Sequence, residues 1–77
     1  MATGDGAAQR LRRSLNNLGG SLCAGCFVYH RAPLLRVDHR IALFLGGHDL
    51  EDNVQLLCVP CHNAKTRAEK STTRLTT

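Results

Sequence analysis

Cys23-Ala24-Gly25-Cys26 and Cys58-Val59-Pro60-Cys61 stand at either end of the stretch that decides how this chain folds. Two residues between cysteines let a tight knuckle aim both sulfurs at one point, and two knuckles complete a tetrahedral set of four thiolates. Gly25 and Pro60 suit such turns. Four protein ligands leave no position for water, so a zinc ion held here is structural rather than catalytic. Disulfides and a thioredoxin-like dithiol are the other uses of the pattern. A redox pair normally comes singly on a βα unit, which this chain is too short to build.

A staple is what the composition calls for. The chain has 77 residues, 43% of them hydrophobic, with two Phe, one Tyr and no Trp. A single domain of that size gains little from apolar burial alone. The longest uncharged apolar run, 41–45, is far too short to cross a bilayer. Residues 1–6 are small and polar, and Arg10, Arg12 and Arg13 occupy the place of a secretory signal core. A reducing, cytoplasmic setting with no membrane partner is therefore expected, and there paired cysteines favour metal over disulfide. Ten Lys and Arg against six Asp and Glu, a net charge of +4, suit a polyanionic partner.

Working outward, Leu11, Leu15 and Leu18 fall at helical spacing over 7–18, with Gly19-Gly20 to end the helix. Residues 1–20 read as a tail with a short amphipathic helix, 21–70 as the working domain and 71–77 as a flexible tail. Within the domain, 34–45 is β-compatible, Gly46-Gly47 offers a turn, 49–53 is a polar loop and 54–57 a second short strand. Helix formers dominate from His62 to about Lys70. Phe27 and Tyr29 are expected to cover the cysteine cluster. The expected order is helix, knuckle, β-hairpin with an irregular loop, knuckle, helix.

Between and after the knuckles lie Asp38-His39, Gly46-Gly47, Asp49-Leu50, Asp52-Asn53, Gln55-Leu56, Leu57-Cys58, Cys61-His62 and Lys65-Thr66. In that order the string resembles the HNH endonuclease family, in the zinc-stapled form with two Cys-x-x-Cys pairs found in many phage and bacterial genomes. The resemblance implies a small α+β fold, a ββα-metal, treble-clef-like core stapled by a structural zinc on four cysteines (Cys23, Cys26, Cys58 and Cys61). It makes His39 the general base, and Asp38 and His62 ligands of a divalent catalytic ion such as Mg2+, Mn2+, Ni2+ or Zn2+. It makes Asn53 the brace of the inter-strand loop. It implies double-stranded DNA as substrate, in-line hydrolysis to a 5′-phosphate and a 3′-hydroxyl, and, for phage members, partners in DNA packaging.

These roles have a physical logic. An imidazole off the metal can take a proton from water near neutral pH. An ion held by one carboxylate and one imidazole keeps positions open for phosphate oxygens. Asp38 and His39 pose a problem, because successive strand residues face opposite sides, so both serve one site only where the strand bends or ends. Lys65, Arg67 and Arg40 are expected to contact phosphates, and Asn63, Arg67, Lys70 and Arg74 would form a basic stripe on a long enough helix. The chain departs from the family pattern in two places. Arg40 stands where an apolar residue is usual, with Ala42 in place of a proline, and Phe44-Leu45 before the glycines are apolar. Without an evident recognition helix, low sequence specificity and nicking are expected. The competing reading is a non-catalytic zinc-stabilised module that binds DNA or protein, which would have no use for Asp38, His39, Asn53 and His62 together.

Overall fold

Helix α1 (Ala7–Leu18) forms where the leucine spacing predicts it. A computed structural model describes residues 6–75, with side chains through residue 71; the remaining parts of the tails expected from the sequence, 1–5 and 76–77, lie outside the described residues. Leu15 is buried, but Leu18 is 76% exposed, so the docked stripe is narrower than the spacing implies. Gly19 ends the helix in the left-handed region at φ 85, its N–H donating to the Leu15 carbonyl at 2.9 Å.

The first knuckle is the turn of a hairpin between β1 (Gly20–Leu22) and β2 (Tyr29–Arg31), which the sequence reading does not contain. Strands of three residues carry too little alternation to be legible. Phe27 and Tyr29 are 74% and 60% exposed, so the expected aromatic cover is corrected. Backbone encloses the sulfur instead: the tight turn bonds Phe27 N to Cys23 O at 2.8 Å and leaves Cys23 fully buried.

Strands β3 (Leu35–His39) and β4 (Val54–Cys58) pair antiparallel, from Leu35 opposite Cys58 to His39 opposite Val54. The β-compatible run therefore stops at His39 rather than continuing to Leu45. Beyond it no partner strand remains, and Asn53 takes over the backbone groups, its carbonyl accepting from Arg40 N at 2.7 Å. The loop then makes a 3-10 turn at Leu43–Leu45. Gly47 folds it back, donating to the Ala42 carbonyl at 3.0 Å, at a place where a Cβ would collide with the Ile41 carbonyl.

Helix α2 (Val59–Leu75) begins directly after β4, three residues before the expected start at His62, so Cys61 and His62 both lie in its opening turn, and it continues past Lys70. Pro60 is tolerated there because the first-turn N–H groups have no intrahelical partner to lose. The core is Leu15, Cys23, Leu35, Leu57 and Cys58, with α1 packed on β1, β3 and β4 and α2 packed on β3 and β4. Two of those five core residues are cysteines, so the sulfur cluster is part of the core itself. Among the described residues no helix is long and apolar enough to cross a membrane.

Candidate active site

The four cysteine sulfurs lie within 4.8 Å of one another, with Cys26 Sγ 3.9 Å from Cys58 Sγ. Sulfurs placed tetrahedrally at about 2.3 Å from one ion stand about 3.8 Å apart, so the set fits a single ion. All four are free thiols. Burial pushes the Cys23 thiol up, but N–H groups of Cys58, Cys26 and Gly25, donating at 3.3, 3.4 and 3.2 Å, outweigh it and bring it down to about 6. Cys61 goes the other way: the Cys58 and Cys23 sulfurs beside it, with burial, push it up to about 12. Sulfurs this close oppose one another's ionisation, and a cation among them removes that opposition.

A second donor set lies on the strands and the start of α2. Asp38 is only 8% exposed. The strand register places Gln55 opposite it, and Gln55 Nε2 donates to Asp38 Oδ2 at 2.9 Å. Lys65 Nζ lies 3.2 Å from the same oxygen. The other oxygen, Oδ1, faces His62 Nε2 at 3.9 Å. Two atoms ligating one ion at about 2.1 Å are separated by about 3.0 Å at right angles and about 4.2 Å at most, so this pair fits a shared divalent ion.

Lys65 is not placed as the sequence suggests. Its ammonium donates to the His39 carbonyl at 2.8 Å and also reaches Asp38 Oδ2 and Glu69 Oε2, so three protein oxygens engage its three donors. Burial lowers its pKa, but the bonds to Glu69 and Asp38 outweigh this and raise it above the usual value. Lys65, expected to contact phosphate, thus forms an internal tie between α2 and the end of β3. Arg40 and Arg67 are exposed, and Arg40, His48, Asp52 and Asn53 help line a concavity of about 420 Å³.

His39 takes different partners from Asp38, as alternation along a strand requires. Its Nε2 lies 2.8 Å from Asp49 Oδ1. The hydrogen bond from His39 and then the one from Ala8 N–H, at 2.9 Å, hold the Asp49 carboxyl below the usual carboxylate range. Asn53 ties the loop: its Oδ1 accepts from Ile41 N at 2.9 Å, and its Nδ2 donates to Ile41 O at 3.0 Å and His48 O at 2.8 Å. The structure thus brings Asp38, His62 and Lys65 together, and sets His39 with Asp49 beside them.

Asp49, Gln55 and Glu69 were not read as site residues from the sequence. The spacing of Lys65 and Glu69 at i,i+4 was a usable signal for one of them. Gln55 needed the strand register, and Asp49 carries no periodic signal at all. A comparison with protein families matches residues 20–68 to the one described as HNH endonuclease. No curated protein and no solved structure matches the chain.

Proposed function

The chain belongs to the HNH endonuclease family, and from that premise we propose that it hydrolyses phosphodiester bonds of double-stranded DNA, nicking with little sequence preference. The observation that carries this reading is the pairing of Asp38 Oδ1 with His62 Nε2 at 3.9 Å, a donor set separate from the closed cluster of sulfurs. Cys23, Cys26, Cys58 and Cys61 hold structural zinc. Asp38 and His62 hold a divalent ion, Mg2+, Mn2+, Ni2+ or Zn2+, which when bound neutralises charge on the phosphate and the departing oxygen.

His39 takes the proton from the attacking water, whose oxygen bonds to phosphorus as the bond to the 3′ oxygen breaks; that oxygen takes a proton from a solvent water, leaving a 5′-phosphate and a 3′-hydroxyl. Its ring is bonded to Asp49, a partner outside the Asp38–His62 pair, which suits a base that must keep a lone pair for water. Lys65 holds Asp38 and the end of β3 in register, while Asn53 keeps the loop closed over the strand ends. Arg40 and Arg67, both exposed, contact the phosphate backbone.

Cleavage of supercoiled plasmid by the zinc-loaded protein with added Mg2+, Mn2+ or Ni2+ tests the reading, beside His39→Ala. Metal-dependent nicking that the variant loses, with its zinc content and melting transition intact, is the expected result. Folded wild-type protein that cuts with none of these ions refutes it in favour of a non-catalytic zinc module.

A further inference from the structure

Helix α1 lies outside the matched residues, yet its first turn reaches the candidate base. Asp49 Oδ1 accepts from two donors at once, His39 Nε2 at 2.8 Å and the Ala8 backbone N–H at 2.9 Å. Gly6, the residue preceding the helix, offers no capping side chain, so a carboxylate from a distant loop does the capping. The fit is close: a Cβ on Gly6 would collide with the Asp49 carboxylate. A second tie, Arg10 to Glu51 at 2.8 Å, joins the same helix turn to the same loop.

We propose that Asp49 is a positioning residue for His39, and that the N-terminal turn of α1 holds Asp49 where it can act. The proposal rests on the nuclease reading of His39. An ionised carboxylate has no proton to give, so the hydrogen between it and the ring sits on Nε2. On the neutral ring that leaves Nδ1 as the unprotonated nitrogen, the one able to receive a proton from water. As Nδ1 gains that proton the ring becomes positive, and the carboxylate already at Nε2 stabilises it. Asp49 acts through His39, so its contribution falls on turnover rather than on substrate binding. Residues 6–8 thereby become part of the catalytic apparatus of a chain whose matched residues begin at 20.

The test compares wild type with Asp49→Ala and Asp49→Asn in plasmid nicking under steady-state conditions, with thermal melts and ring nitrogen NMR of His39 on the same samples. Asp49→Asn keeps an oxygen able to accept from Ala8, so it is expected to melt close to wild type. Both variants should lose about tenfold or more in kcat while KM stays within about twofold, the size of effect expected when a carboxylate behind a histidine is removed. The neutral His39 ring should carry its proton on Nε2 in the wild type and lose that preference in Asp49→Ala. Wild-type kcat in Asp49→Asn and Asp49→Ala, or a proton on Nδ1 in the wild type, overturns the proposal. A wild-type protein that does not cut overturns the nuclease reading instead, and the ring spectrum then decides by itself whether Asp49 holds His39.

Discussion

Asp38 and His39 are adjacent in sequence and are held from different sides. Asp38 is surrounded by Gln55, Lys65 and His62, whereas the His39 ring turns to Asp49 and only its carbonyl meets Lys65. Lys65 is therefore the cation that lets a carboxylate sit nearly buried. Replacing it with Met removes the partner and leaves the charge, which costs about 2–3 kcal/mol after allowing for partial exposure; chemical denaturation measures it. Arg67→Ala should leave stability unchanged but weaken DNA binding and flatten its salt dependence by about one ion, as seen in binding titrations at graded salt. A Lys65→Met protein of native stability, or one with the Arg67→Ala salt response, would return Lys65 to the phosphate. Asn53→Ala deprives the Ile41 amide and the Ile41 and His48 carbonyls of a partner. Its expected cost is about 1–3 kcal/mol, read from the melting curve.

At the level of elements, the ββα unit of β3, β4 and α2 places the metal-ligand candidates, and α1 closes the unit from the other direction. Only Ala7 and Leu15 of α1 are buried. Leu15→Ala should cost about 2–4 kcal/mol, whereas Leu18→Ala, at a position 76% exposed, should stay within about 0.5 kcal/mol. Equal effects in denaturation would mean that α1 docks through a broader stripe. The loop between β3 and β4 has no ladder of its own. Its shape rests on the side chain of Asn53, on Gly47, and on the Asp49 and Glu51 contacts with α1.

For the molecule as a whole, the sulfur cluster and the hydrophobic core are one object, since Cys23 and Cys58 belong to both. Removing the metal with a chelator, or replacing Cys58 with Ser, should abolish the cooperative thermal transition, because the free energy of metal binding is also free energy of folding. A sharp transition in metal-free protein would show that the core suffices. Cys61 stands at about 12 without a metal, so its thiol is protonated at neutral pH and must ionise to ligate. Zinc binding therefore releases protons and weakens as pH falls, which calorimetry in buffers of different ionisation enthalpy detects.

Much of this was written in the residues alone. Paired Cys-x-x-Cys spacing announces one closed metal site because two intervening residues dictate where both sulfurs point. The leucines at 11, 15 and 18 and the glycine after them announce α1, since a helix repeats every 3.6 residues and glycine ends it cheaply. The ordered string from Asp38 to Thr66 announced the family. Contacts between elements were not legible, because no local period encodes them. The register that sets Gln55 against Asp38, the docking of α2 on β3 and β4 that turns Lys65 inward, and the reach of Asp49 to both Ala8 and His39 depend on how separate segments pack. Short-range spacing determines elements and ligand sets through backbone geometry, whereas the partners of a charged side chain are decided by which elements exclude water around it, and that exists only once the chain has folded.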